Sequence, residues 1–199
     1  MAHKYATDLM HPIEAGVYCS TERLVPLFQS LGVTPNQLTA TSFAFSIACA
    51  LCASQRNYGL AAGAYLGAFL FDCWDGGYAR LTDQCTPFGD FFDHFSDWAG
   101  MALLILGLVR SGIVRELTAT ERVAFAALFA ISALLLLLHV SCEVKLQRDA
   151  GVNNQPSLDF LGDLSPHNPE HVLGMSRWFG YTGLHGAVLL TLLYLSAYH

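Results

Sequence analysis

Four aspartates lie close together in a chain whose neighbouring segments are apolar. Asp72 and Asp75 are three residues apart, and Asp93 and Asp97 are four apart, so each pair lies on one face if its segment is helical. A short turn between two such helices would bring four carboxylates together. Like charges at close range repel strongly even at an effective dielectric of about 20, so such a cluster requires a cation. Oxygen ligands without a set of Cys or His suit Mg²⁺, Mn²⁺ or Ca²⁺ rather than zinc.

Small residues flank these acids. Gly76, Ala79 and Gly89 have almost no side chain, which lets two helix backbones approach and leaves room for a ligand. Arg80 is the cation within this stretch. A divalent ion next to a guanidinium and an open backbone predicts a site for phosphate groups.

The complete spacing resembles the signature of the CDP-alcohol phosphotransferases. The pattern D-x2-D-G-x2-A-R-x8-G-x3-D-x3-D runs from Asp72 to Asp97 with all eight fixed positions present. The resemblance implies an integral-membrane enzyme that moves a phospho-substituted alcohol from a CDP-linked donor to a hydroxyl acceptor, releases CMP and uses two divalent ions, Mg²⁺ or Mn²⁺. The implied metal ligands are Asp72, Asp75, Asp93 and Asp97. The implied nucleotide and phosphate contacts are Asn36, Gly76, Ala79, Arg80 and Gly89.

Within this family, the run Gly89–Asp97 is most similar to the aminoalcohol branch, which has G-E-L-F-D-H-G-C-D, because His94 follows the third aspartate. In that branch, the residues at the places of Asp90 and His94 are a proposed base pair for the acceptor hydroxyl. Elsewhere in the family the last aspartate, Asp97 here, is the usual candidate base. The resemblance therefore implies transfer from CDP-choline or CDP-ethanolamine to a diacylglycerol-like hydroxyl.

Three other functions stay open at this point. Within the family, CDP-diacylglycerol can be the donor and a small polar alcohol of the inositol, glycerol or serine type the acceptor. Outside it, acids inside apolar helices can line the pathway of an ion carrier. A site that binds nucleotide without turnover is the third. Independently of these, the alternative role of His94 is that of a hydrogen-bonded core histidine.

Composition places the chain in a membrane. Of its 199 residues, 53% are hydrophobic and only 13% are charged, and the net charge is −6, so nothing indicates nucleic-acid binding. We expect an all-α, polytopic transmembrane bundle that forms a single domain over residues 1–199. Its phosphotransferase core is expected at 36–110. Five spans are predicted, at residues 36–54, 60–80, 89–110, 123–140 and 178–198. Because members of the family usually have at least six, the expectation is five to six.

The remaining segments carry weaker signals. Residues 1–19 are expected to be a polar arm without a cleavable signal peptide, and 20–31 an amphipathic helix in the membrane interface. Residues 149–176 are hydrophilic, so either part of this stretch is re-entrant or helical, or the bundle is a reduced one. His167 and His171 have a metal-compatible spacing there, but the prolines around them argue against a helix.

Orientation is predicted from the basic residues. If the end that carries the aspartates faces the cytoplasm, six Lys and Arg lie inside and four outside. The expected partners are a CDP-linked donor, a lipid acceptor, membrane lipids and, as an open alternative, a second copy of the chain.

Overall fold

The computed structural model describes residues 12–151, 156–176 and 181–199, and within them it contains helices and no strand. The described residues of all five predicted spans are helical, which confirms the all-α fold, and residues 178–180 of the fifth span lie outside the described residues. In chain order the elements are α1 (Pro12–Ser30), α2 (Pro35–Ser54), α3 (Tyr58–Leu81), α4 (Pro87–Ser111), α5 (Ile113–Glu116), α6 (Ala119–Asp149), a 3₁₀ helix (Pro156–Leu164), α7 (Pro169–Ser176) and α8 (Tyr181–Tyr198).

Three of the described helices, α2, α4 and α6, are long and apolar enough to cross a membrane, and the apolar part of α8 is shorter. Helix α3 is 24 residues long but carries Asp72, Asp75 and Arg80 in its second half. Charged side chains facing lipid cost about 2.5 to 3.5 kcal/mol each, so these side chains must face protein or a cavity.

The expected polar arm is wrong for residues 12–19, because α1 begins at Pro12. Proline is tolerated in the first turn of a helix, where its missing N–H has no partner to lose. Tyr18 and Thr21 on α1 are buried, and the indole of Trp74 on α3 donates to Ser20 Oγ at 2.9 Å. These contacts with α3 stabilise the early turns of α1. Residues 1–11 lie outside the described residues.

Close packing of α2 against α3 and α4 depends on small residues. A Cβ on Gly107 of α4 would lie 2.5 Å from the backbone oxygen of Ala50 on α2, and one on Gly100 would lie 2.9 Å from Ser46. Ser42 of α2 donates to the Ala68 carbonyl of α3 at 2.9 Å. The three helices therefore pack with little side-chain volume between them, as is common in membranes.

The hydrophobic core lies at the end of the bundle away from the aspartates. Tyr58, Ile113 and Leu192 are about 1% exposed there, and they join α3, α5 and α8. At the same end, Arg56 forms an ion pair with Glu116, and the hydrogen bond from the guanidinium lowers the pKa of the Glu116 carboxyl. This end packs α3, α5 and α8 against one another, and the opposite end of α3 carries the aspartates.

The segment after the fourth predicted span is more ordered than expected. Helix α6 continues to Asp149 instead of ending at 140, and residues 156–164 and 169–176 are helical. The argument that prolines exclude a helix near His171 is wrong, because Pro169 occupies the first position of α7, where proline is favoured. Arg148 ties the 3₁₀ helix to α6 through Asp159 and Asp163. Part of the 149–176 stretch is thus helical, which was one of the two alternatives.

Candidate active site

A tight turn connects the two acidic helices, and both of them pack against α2. Helix α3 ends at Leu81, and Asp83 takes a left-handed conformation with φ 54°, which aspartate tolerates better than most residues. The Thr86 side chain then accepts from the Gly89 N–H at 3.0 Å and caps α4, which begins at Pro87. The turn and the shared packing against α2 bring the acidic ends of α3 and α4 toward each other.

Three of the four aspartates meet. One carboxylate oxygen from each of Asp72, Asp75 and Asp93 lies within 4.8 Å of the others. Asp97 is one turn further along α4 and lies on the wall of the adjoining cavity rather than in this group of three. The structure therefore brings together three of the four predicted acids and leaves Asp97 outside their group.

Two of these carboxylates have a buried oxygen without a hydrogen-bond partner among the described residues, Oδ2 of Asp75 and Oδ1 of Asp93. Asp75 is only 3% exposed. Burying an unbonded carboxylate oxygen next to other carboxylates is costly, and a divalent cation offsets that cost directly. The ligand set is all oxygen, so the residues fit Mg²⁺ or Mn²⁺.

The predicted pair of Asp90 and His94 is brought together, and a third residue joins it. His94 Nδ1 lies 2.8 Å from the Asp90 carbonyl oxygen, 3.5 Å from Asp90 Oδ1 and 3.2 Å from Ser157 Oγ. The backbone N–H of Ser157 donates to Asp90 Oδ2 at 2.9 Å. Oxygen atoms around Nδ1 favour a proton on that nitrogen, which leaves Nε2 as the acceptor atom of a neutral ring.

Ser157 was not predicted from the sequence. It belongs to the 3₁₀ helix, 63 residues after His94, in a hydrophilic segment without a recognised motif. No local pattern signals such a contact.

Four of the five predicted nucleotide residues line one small polar pocket next to the aspartates: Asn36, Gly76, Ala79 and Gly89. The guanidinium of the fifth, Arg80, lies against Gly76, where an added Cβ would be 3.2 Å from Arg80 Nη1. Thr39 and Thr86 also line this pocket and were not predicted. Absence of side chains at Gly76 and Gly89 keeps the pocket open beside the acids.

A second, larger cavity of about 620 Å³ lies on the other side of the aspartates. It is lined by residues of α1, α2, α3, α4, α6, α8 and the 3₁₀ helix, and one side is open. Its lining combines the aspartates with alkyl side chains such as Met101, Leu104 and Leu136. Both cavities share Asp75, Gly76, Asp93 and His94. The lining of the large cavity also includes four residues absent from the sequence-based site: Tyr65, His139, Glu143 and His185.

The signal for these residues was present but unused. Tyr65 and His185 contact each other at 2.8 Å across α3 and α8, and His139 and Glu143 interrupt or follow the most apolar run of the chain. Polar side chains inside membrane helices indicate functional positions by default. That rule would have identified these residues as candidates from the sequence. It would not have predicted that they line the same cavity.

Clustered carboxylates between a small polar pocket and a larger, mostly apolar cavity suit phosphate chemistry on a lipid. The family model described as CDP-alcohol phosphatidyltransferase matches residues 32–154, more than half of the 199 residues. The chain belongs to that family. The resemblance to the family is thereby confirmed.

Among curated proteins, an archaetidylinositol phosphate synthase from Pyrococcus horikoshii is 38% identical over 96 residues. The match covers 47% of this chain and 50% of the relative, so the chain spans about half the length of that protein. No solved structure matches significantly. This relative is not an aminoalcohol phosphotransferase, so the comparison favours the CDP-diacylglycerol alternative over the choline or ethanolamine reaction.

Proposed function

We propose that the chain transfers a phosphatidyl group from a CDP-linked lipid of the CDP-diacylglycerol type to a small polar alcohol and releases CMP. The observation that carries this proposal is the pair of cavities that meet at Asp75, Gly76, Asp93 and His94. A CDP-linked lipid has a nucleotide, a diphosphate and alkyl chains in that order. The polar pocket, the aspartates and the alkyl side chains of the large cavity follow the same order.

Access for the lipid is supported by the open side of the large cavity. Trp98 and Ile105 of α4 line it and are 76% and 54% exposed, and Leu137 of α6 lines it and is 43% exposed. In a bilayer these exposed apolar side chains face lipid, because the helices that carry them span the apolar layer. An alkyl chain can therefore enter between α4 and α6 without crossing water.

Two divalent ions fit this site. Asp72, Asp75 and Asp93 would hold them, with Asp97 as the fourth predicted ligand. Bound there, the ions would neutralise the diphosphate and make CMP a better leaving group. Arg80 and the open backbone at Gly76 would contact the phosphate and nucleotide side.

The chain's own residues supply the proton acceptor. The acceptor oxygen attacks the phosphorus that carries the lipid, its proton moves to His94 Nε2 or to Asp97, and the bond from that phosphorus to the CMP oxygen breaks. The contacts of His94 Nδ1 support His94, since they orient Nε2 as an acceptor. Replacing each residue separately identifies the base: a turnover loss with nucleotide binding retained in His94→Ala assigns His94, and unchanged turnover assigns Asp97.

A second candidate function is transfer from CDP-choline or CDP-ethanolamine to a diacylglycerol-like hydroxyl. It is favoured by His94, which follows Asp93 and lies one turn after Asp90, as in the aminoalcohol branch. The large cavity would then hold the acceptor lipid rather than the donor lipid. Since the chain is a transferase of its family, the ion-carrier alternative is left without support.

The deciding experiment incubates purified protein in lipid vesicles with labelled CDP-diacylglycerol, CDP-choline or CDP-ethanolamine, with Mg²⁺ or with EDTA. We expect CMP release from CDP-diacylglycerol that depends on Mg²⁺ and on an added polar alcohol such as inositol, glycerol or serine. Release from CDP-choline or CDP-ethanolamine with diacylglycerol, and none from CDP-diacylglycerol, would establish the second candidate and overturn the first.

We also propose that the aspartate end faces the cytoplasm, where CDP-linked donors are found. Cys85, in the turn between α3 and α4, is exposed and reports on that end. In a Cys19→Ser background, a membrane-impermeant maleimide should label Cys85 in inside-out vesicles and not in intact cells. Labelling in intact cells would reverse the orientation. Formation of a homodimer stays a prediction and is tested by the mass of the protein in detergent.

A further inference from the structure

Helix α6 has a polar face inside its most buried part. His139, Glu143 and Gln147 follow one another at intervals of four residues and are 3%, 4% and 5% exposed. His139 lies at the end of the span predicted at residues 123–140, and Glu143 and Gln147 lie beyond it. Burial of polar groups is costly unless they have partners or a ligand, so this face requires an explanation.

Neighbouring groups fix the orientation of this face. Gln147 Nε2 donates to Glu143 Oε1 at 3.0 Å, and His139 Nδ1 lies 3.1 Å from Ser176 Oγ on α7. His139 and Glu143 line the large cavity, and so do Asp93 and Asp97 of α4. The aspartates and the α6 face therefore border one common space in which a single molecule can be held.

The charge of this cavity selects among acceptors. No Lys or Arg lines the large cavity among residues 12–151, 156–176 and 181–199, while five carboxylates do. Arg148, one turn beyond Glu143, is held by Asp159 and Asp163, and Lys145 is held by Asp149. Two divalent ions would balance the four aspartates, but the donor's diphosphate and Glu143 remain as negative charge. A phosphorylated acceptor would be repelled there, whereas hydroxyl groups can donate to a carboxylate.

We propose that Glu143 and His139 form the binding site for the acceptor alcohol and that this acceptor is a small polyhydroxyl compound without a phosphate group. Glu143 accepts from acceptor hydroxyls and so places one of them toward the aspartates. The proposal rests on the proposed function. It separates this chain from the relative, whose name specifies a phosphorylated product.

The test measures CMP release by purified protein in vesicles that contain CDP-diacylglycerol. The acceptors are inositol and glycerol, each compared with its phosphate ester. We expect kcat/KM for the phosphate esters to be at least about tenfold lower. In Glu143→Gln, KM for the free alcohol should rise about tenfold, since a charge-assisted hydrogen bond is lost, while KM for CDP-diacylglycerol stays within about twofold. Glu170→Gln, at an exposed glutamate of α7, is the matched control and should change neither.

The experiment distinguishes failure of the acceptor-site proposal from failure of the proposed function. If the wild-type protein releases no CMP from CDP-diacylglycerol with any acceptor, the proposed function itself is wrong. If it does release CMP but prefers the phosphate esters, or if Glu143→Gln leaves KM for the alcohol unchanged, only the acceptor site is wrong. Should Glu143→Gln fail to fold, the preference of the wild-type protein between each alcohol and its ester decides alone.

Discussion

The two acidic walls of the large cavity differ in how their polar atoms are satisfied. On the α3 and α4 wall, Asp75 and Asp93 each have a buried oxygen without a hydrogen-bond partner among the described residues. On the α6 wall, Glu143 accepts from Gln147, and His139 contacts Ser176. On the proposed function, cations would satisfy the unbonded oxygens of the first wall, whereas protein groups already contact the polar side chains of the second.

This difference indicates a division of labour. Clustered carboxylates repel one another, and this repulsion lowers the stability of the folded protein. A bound cation at the first wall would reduce the repulsion. A carboxylate held in place by a glutamine is suited to recognising hydroxyl groups, because its orientation is set before the ligand arrives. Loss of an acid should therefore abolish catalysis on the first wall and change only acceptor affinity on the second.

The largest effect is expected for Asp93→Asn. The variant should lower the rate of CMP release by roughly 10³-fold or more, since several kcal/mol of charge stabilisation depend on the bound ion. The matched control is Asp83→Asn in the exposed turn, where the left-handed backbone also suits asparagine. If Asp93→Asn kept more than about a tenth of the activity, the first wall would not be the metal site.

Removal of metal should change stability in the same direction as activity. Adding Mg²⁺ to EDTA-treated wild-type protein at about 100 times its Kd should raise Tm by roughly 5 to 10 °C. Asp93→Asn should show little of this rise, and in EDTA it should melt no lower than the wild type because it lacks part of the repulsion. If Mg²⁺ raised the Tm of the wild type and of Asp93→Asn equally, the first wall would not be the site at which Mg²⁺ stabilises the protein.

A smaller effect is expected from the packing that positions the first wall. In Gly107→Ala, the new Cβ would lie 2.5 Å from the Ala50 backbone oxygen, so α2 and α4 must separate at a cost of about 1 to 3 kcal/mol. A lower Tm in vesicles or detergent measures this. Gly63→Ala is the control, since nothing lies within 4 Å of its added Cβ, and its Tm should be unchanged or slightly higher.

The smallest effect is expected where the two walls meet through the 3₁₀ helix. Ser157→Ala removes the Oγ contact with His94 but keeps the backbone N–H bond to Asp90. Losing one neutral hydrogen bond should lower kcat roughly two- to tenfold without changing Tm by more than a degree or two. Ser30→Ala, an exposed serine that bonds only within α1, serves as the control. If Ser157→Ala and Ser30→Ala had the same kcat, Ser157 would not be a positioning residue for His94.

Sequence patterns predicted the parts of this site that lie on consecutive helices. The spacing of Asp72, Asp75 and Asp93 on either side of a turn was sufficient to expect their meeting, because helix periodicity and a short connection determine it. The start of α1 and the extension of α6 to Asp149 were missed. In both cases tertiary contacts stabilise helical turns whose local composition is polar.

By itself, the sequence determined the membrane helices, the family and the cluster of acids, since each is encoded within a helical turn or within one helix pair. Only the tertiary structure decided that Glu143 and His139 face the same cavity as Asp97 and that Ser157 contacts His94. These residues are 42 to 63 positions apart in the sequence and belong to helices that no short turn connects. Their distances depend on how all the helices pack, and no single segment of the chain carries that information.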